Sequence, residues 1–305
     1  MTKEPVLSKP IRTISRWYGK LVKDEMRGEA LRTKLRMATE GDRTKERYAL
    51  AKPFLSNDFD DFRRDGCLRM PLPGYEKIAP IFHQIVREYE QSEDKSFGSK
   101  KNLVNLLAIE HLNEHPEIVD AVFDETFLRP VFNYYGYIPE LASLALFYTP
   151  QNNDSEKSQL WHIDAYDPHH LKHITLVEDV ALENGPFTFL KIPATRNIRR
   201  QSGNFKRGDD FESRFSNELS ENIPHIGRHD EGMFVDVSNC LHQGGRTRLG
   251  KRVLFFIHFA SFADYLIVEK NYKTGIYIQH EPALVKKFAT TRIRQLMLRA
   301  RSDLG

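Results

Sequence analysis

Five short runs in the second half of the chain restrict its fold more than any other feature: LASLALFYTP, HITLVEDV, GPFTFLKIP, GMFVDV and RVLFFIHFASF. Each is rich in aromatic and β-branched side chains, and Gly, Asn, Asp or Pro separates one from the next, which is the composition of strands bounded by turns. A doubly wound parallel sheet requires a helix between successive strands, and no regular helical period alternates with these runs. The expected core is therefore mainly β and antiparallel, a jelly roll.

The flanks read differently. Ile14, Trp17, Tyr18, Leu21 and Val22, and again Ile78, Ile81, Phe82, Ile85 and Val86, follow helical spacing and predict a helical N-terminal region, with Pro80 tolerable only in a first turn. Val285, Phe288, Ala289, Ile293, Leu296, Met297 and Ala300 form one stripe of a C-terminal helix. The expected organisation is a basic helical extension over 1–54, the jelly-roll domain over 55–283 and an amphipathic helix over 284–305. Between the third and fourth runs lies a polar insertion near residues 195–230, whose length and polarity predict a mobile lid over substrate.

At 40% hydrophobic and 29% charged residues, with no apolar stretch of the roughly 18 residues a span requires, the chain has the composition of a soluble protein without a membrane span. Its first residues lack the apolar core of a secretory signal, so a cytoplasmic location is expected. Charge is uneven: residues 1–50 carry 13 Lys/Arg against 7 Asp/Glu and residues 284–305 carry 6 against 1, while the whole chain is only +3. We read the basic ends as solvated faces of helices docked on an acidic body, and nucleic acid is not expected as a partner. The only cysteines, Cys67 and Cys240, lack zinc-site spacing and are read as buried thiols. No pattern specifies an oligomeric state.

Chemistry concentrates in two places. In QLWHIDAYD, His162 and Asp164 are two positions apart in extended chain, so both side chains leave the same face of a strand and one cation can touch both. Farther on, a strand carrying Val235 and Val237 leads to His242, a glycine-punctuated turn, and a second strand that begins at Arg252.

His162-x-Asp164, a distant His242 and an arginine ten positions after it resemble the Fe(II)/2-oxoglutarate oxygenases. More narrowly, the chain looks like the phytanoyl-CoA dioxygenase family, whose members commonly show a wHxD strand, an NGP hairpin and an early F..dG segment. Here these are Trp161 to Asp164, Asn184-Gly185-Pro186 and DFRRDGCLRMPL at residues 61–72. The resemblance implies a double-stranded β-helix of the cupin-like jelly-roll kind. It also implies Fe(II) held by His162, Asp164 and His242, with 2-oxoglutarate as cosubstrate and O2 as oxidant. One departure stands out: Pro193-Ala194-Thr195-Arg196 replaces the family's Pro-Gly-Ser-His, so phytanoyl-CoA is not assumed as substrate.

Two imidazoles and one carboxylate leave three positions on the metal for keto acid and dioxygen. The keto acid's far carboxylate needs a cation, and an arginine fork meets both of its oxygens. Arg252 is the expected cation, because the turn after His242 returns the next strand beside the metal; Arg246 and Arg248 lie inside that turn and are expected to be solvated. His169, His170 and His173 are read as a solvated turn and the start of a strand. His258 lies six residues beyond Arg252, about 20 Å at roughly 3.3 Å per residue, and is set aside from the iron site. Retention of Asp164, where related halogenases carry a small residue, favours hydroxylation over chlorination. The expected activity is hydroxylation of a small or carrier-linked substrate with release of succinate and CO2. Cationic residues of the insertion, such as Arg196 and Arg199, suit an anionic group on that substrate. The alternatives are a cupin-like metalloenzyme without a keto acid and a non-catalytic jelly-roll binding module.

Overall fold

The computed structural model describes residues 41–93, 103–152, 159–164, 169–202, 210–261 and 275–298. The apolar pattern at residues 14–22 lies outside these. Among the described residues no helix is long and apolar enough to cross a membrane.

Among the described residues nine antiparallel strands form two sheets. They are β1 (Cys67–Arg69), β2 (Val104–Asn105), β3 (Glu140–Thr149), β4 (Leu171–Leu176), β5 (Phe187–Phe189), β6 (Ile223–Pro224), β7 (Gly232–Asp236), β8 (His242–Gly244) and β9 (Arg252–Ala260). The larger sheet runs β1-β7-β4-β9-β3-β2 and the smaller β6-β5-β8. All five sequence runs contain one of these strands.

The central strand β9 explains the architecture. It is apolar on both faces, so it shows no alternation, as expected of a strand covered on both sides. Val253, Phe255, Ile257 and Phe259 pack into a cluster with the helices, whereas Leu254 and Phe256 join Ala145, Phe147, Ile174 and Leu176 of the large sheet and Phe187 and Phe189 of the small one. The order is therefore helices, large sheet, small sheet. A bulge between Leu141 and Ser143 of β3 shifts the pairing by one residue and keeps Leu141 on the helical side.

The helical layer is built on Tyr75–Gln91, whose residues Ile78, Ile81, Phe82, Ile85 and Val86 are all buried, with the Phe82 ring 4.7 Å from that of Phe255. Pro80 sits beyond the first turn in this helix, contrary to the sequence reading; burial of the whole apolar stripe holds the helix despite the missing N–H. Asp124 caps Glu125–Tyr135 by accepting the N–H groups of Thr126 and Phe127.

Three expectations are corrected. A helix, Ile192–Ser202, does lie between β5 and β6. Its Ile198, with Phe211, Phe215 and Leu219 farther along the insertion, packs on Trp161, Leu190 and Leu241, so these parts of the insertion are anchored by apolar contacts. The C-terminal stripe is carried by two short helices, Pro282–Phe288 and Arg292–Leu298; the Thr291 hydroxyl accepts the Arg294 N–H and starts the second. Of the basic ends, where described, Arg294 pairs with Asp120 of the body, Arg292 pairs with Glu46 of the other end, and Arg47 is buried against the carbonyls of Ile138, Pro139 and Leu296 rather than solvated.

Candidate metal centre

His162 and His242 form an isolated antiparallel bridge, with His162 N–H donating to His242 O at 2.8 Å and His242 N–H to His162 O at 2.9 Å. Their rings lie with centroids 4.2 Å apart. Each Nδ1 faces the carbonyl two residues earlier, Leu160 O at 2.7 Å and Cys240 O at 3.0 Å. A carbonyl can only accept, so both Nδ1 atoms carry the proton and both Nε2 atoms present a lone pair. The two Nε2 atoms stand 3.6 Å and 3.9 Å from Asp164 Oδ1. Ligand atoms of His162, Asp164 and His242 all fall within 4.8 Å of one another, a spacing that one cation can bridge.

The turn between β7 and β8 holds this group in place. The Asp164 N–H donates to Val237 O at 3.0 Å and the Ser238 hydroxyl to Asp164 O at 2.9 Å. Asp236, fully buried, secures the turn by accepting from Ser238 N, Asn239 N, Asn239 Nδ2 and the Tyr134 hydroxyl. Thr195, in the stretch that departs from the family pattern, is buried and its hydroxyl accepts the Leu241 N–H at 2.9 Å, next to His242.

Lys172 of β4 completes the surroundings, its Nζ 2.6 Å from Asp164 Oδ2. Burial opposes ionisation of Asp164, but the Lys172 ammonium, with His242 and His170, holds its carboxyl well below the usual range. Burial pushes the His242 imidazole down to about 3, which keeps it neutral. The sequence reading passed over Lys172; the available signal was a lysine in register with Ile174 and Leu176 on a face that turned out apolar.

Arg252 starts β9 with 5% of its surface exposed and reaches Gly245 O and Thr149 Oγ1, both at 3.3 Å. Its Nε has no hydrogen-bond partner, and no carboxylate pairs with it among the described residues. Burial lowers it to about 10. The neighbouring Lys251 by contrast holds Glu90 and Glu178 at 2.7 Å and 2.9 Å. Gly245 is three residues from His242, about 10 Å at roughly 3.3 Å per residue, which sets the scale of the separation between guanidinium and metal group. Gly185 of the NGP hairpin, at φ +64°, packs so closely on this turn that a Cβ would fall 2.3 Å from the Arg246 carbonyl. Arg248 is exposed and Arg246 partly so.

In the histidine cluster His169 sits half-buried in a turn, but the other two are not solvated, contrary to the sequence reading. His173 is fully buried, facing Met70 O and ringed by Phe127 and Phe234; His170 is buried as well. His258 lies directly opposite Lys172 across β4 and β9, so its distance from Arg252 does not remove it from the neighbourhood of Asp164. Cys240 is buried beside the Asp65 and Gly66 carbonyls, outside the metal group, and Cys67 is half-buried. Trp161 belongs to the apolar cluster under the insertion.

No protein-family model and no curated protein matches the chain. Solved structures do. EctD from S. alaskensis with bound Fe superposes with a TM-score of 0.51 at 13% identity, over 72% of this chain and 83% of that one. Its apoform gives 0.50 at 14% identity, over 71% and 82%. The same protein with 2-oxoglutarate and 5-hydroxyectoine gives 0.49 at 12% identity, over 72% and 83%. At these identities the likeness establishes a shared fold.

Proposed function

We propose that the chain is an Fe(II)- and 2-oxoglutarate-dependent dioxygenase of the phytanoyl-CoA dioxygenase kind, built on a double-stranded β-helix. It hydroxylates a small or carrier-linked organic substrate and releases succinate and CO2. The observation that carries this reading is the pairing of two features: a two-histidine, one-carboxylate group, and a buried arginine that reaches the carbonyl three residues beyond His242 and has no carboxylate partner among the described residues. EctD, whose fold the chain shares, binds Fe and 2-oxoglutarate.

His162, Asp164 and His242 hold the metal in this reading, and Arg252 receives the distal carboxylate of the keto acid. Iron held there supplies the redox chemistry that couples keto-acid decarboxylation to oxidation of a C–H bond. The chain's own residues set the geometry. The two Nδ1 to carbonyl bonds orient the imidazoles, Lys172 neutralises the outer oxygen of Asp164 and leaves Oδ1 for the metal, and the Gly185–Arg246 contact fixes the turn whose Gly245 carbonyl receives Arg252. Leu254, Phe256, Phe147 and Phe187 form an apolar, water-poor wall between the sheets.

The test measures bound iron and succinate formed from 2-oxoglutarate. Stoichiometric iron with 2-oxoglutarate-dependent succinate is expected. Iron without succinate would favour a cupin-like enzyme that uses no keto acid, and absence of both would favour a binding module. The orphaned Arg252 is the reason to prefer the first outcome, since neither alternative needs a buried cation there.

A further inference from the structure

Beside the candidate metal group, on the side away from Arg252, three nitrogen-bearing side chains converge without a structural task that uses them all. His170 is only 7% exposed, and neither ring nitrogen has a hydrogen-bond partner among the described residues. The His258 ring stands 5.4 Å from that of His170, and its Nε2 is buried and likewise unpartnered. Lys172 pairs with His258 in the strand register and spends one N–H on Asp164 Oδ2. Buried polar groups are paired with few exceptions, so imidazoles left this way next to a reactive centre point to a partner from outside the chain.

Chemistry narrows that partner. Burial lowers His170 to about 4 and His258 well below its usual range, so both rings are neutral near pH 7 and each offers one N–H donor. Lys172 keeps two further N–H groups. Donors therefore outnumber acceptors, and one of the donor groups is a cation, which suits an acceptor-rich anionic oxygen group. The keto acid is excluded as that partner if Arg252 anchors it, because Arg252 and His258 are six residues apart on the same face of β9, about 20 Å at roughly 3.3 Å per residue.

We propose that His170, His258 and Lys172 form a substrate subsite that takes an oxyanion, a carboxylate or a phosphate, and so orient an anionic substrate over the metal. The proposal rests on the dioxygenase reading for the word substrate; the anion site itself rests on the three side chains. Asp164 would repel an anion in the bare protein, and a cation bound by His162, Asp164 and His242 offsets that charge.

The experiment uses the full chain loaded anaerobically with Fe(II) and 2-oxoglutarate, and separately with Zn(II), titrated with acetate and with methyl phosphate. Binding is read by calorimetry on both forms and by the imidazole resonances of the diamagnetic zinc form. The expected result is saturable binding of at least one probe that moves the His170 and His258 resonances. His170→Phe and His258→Phe each weaken that binding at least tenfold, while iron and 2-oxoglutarate affinities stay within twofold. Preference for acetate assigns a carboxylate, and preference for methyl phosphate a phosphate. Normal iron and keto-acid binding with unmoved resonances under both probes would overturn the subsite and leave the dioxygenase reading intact. Histidine-dependent probe binding on the zinc form, with no succinate formed in air by the Fe(II)-loaded protein, would do the reverse.

Discussion

His162 and His242 exchange both of their backbone hydrogen bonds, at 2.8 Å and 2.9 Å, although one lies before β4 and the other opens β8. Residues paired in this way present their side chains to the same side, so the position of one imidazole is set by the backbone of the other. Asp164, two residues on, inherits that placement and adds a bond of its own to Val237.

Removing the carboxylate should therefore abolish metal binding without dismantling the site. Asp164→Ala is expected to lose iron and succinate formation together. Because Lys172 is then left without its partner, the variant should also be less stable than the parent by about 1–3 kcal/mol in denaturant titration of the metal-free proteins. Adding Lys172→Met should restore most of that stability and none of the iron. Retained iron in Asp164→Ala would refute the ligand set.

Arg252 makes the opposite kind of prediction. A buried guanidinium without a carboxylate costs stability until an anion arrives. Arg252→Met should match or exceed the parent in metal-free stability, bind iron normally, and bind 2-oxoglutarate more than about a hundredfold more weakly, on the order of 3 kcal/mol. Unchanged 2-oxoglutarate affinity in calorimetry would transfer the role to Arg246 or Arg248.

Thr195 tests the departure from the family pattern. Its hydroxyl accepts the Leu241 N–H, so Thr195→Val should strand that donor, cost about 1–3 kcal/mol and weaken iron binding about tenfold or more through His242, whereas Thr195→Ser should preserve both. Equal iron affinity in Thr195→Val would confine Thr195 to a packing role.

Acid should destabilise the fold through its buried histidines, His173 and His225 among them. Burial lowers His173 from 6.5 to about 3 and His225 to about 4. A group whose folded pKa is depressed binds its proton more readily when unfolded, so its stabilisation is intact above pH 6.5 and is lost as the pH falls toward the folded value. The slope is about 1.4 kcal/mol per pH unit for each histidine between those limits. Denaturant midpoints measured at pH 7.5, 6 and 5 should show this decline, and His173→Phe should reduce its slope by one histidine's share. An unchanged slope would mean that His173 is not held neutral.

Much of this was legible because it is written in local sequence. The five strand runs stand out as aromatic and β-branched residues between turn residues, and the shared face of His162 and Asp164 follows from the pleat. What escaped depends on contacts between distant segments. Ile192–Ser202 carries few apolar residues among Arg199, Arg200 and Gln201, and its helical character shows only once Ile198 meets Trp161 and Leu241. His170 and His173 look solvated beside Asp167 and Lys172, yet the β7 and β9 neighbours that bury them come from more than fifty residues later. The break in the C-terminal stripe is set by one hydroxyl cap at Thr291, which a stripe of apolar residues cannot reveal.

The place of β9 in the large sheet has a consequence for how the protein is made. Among the described residues it is the last strand of its sheet in sequence, yet it lies between β4 and β3, which do not touch without it. A ribosome that has released the first eight strands has produced two unjoined halves of that sheet, each with an open, hydrogen-bond-hungry edge. Pairing over such sequence separations is slow, and exposed edges invite association with other chains. Arg252 is the residue that enters with the closing strand. For the proposed dioxygenase, keto-acid binding would become possible only as the sheet closes, and β3 and β4 are the segments that most need shelter during synthesis.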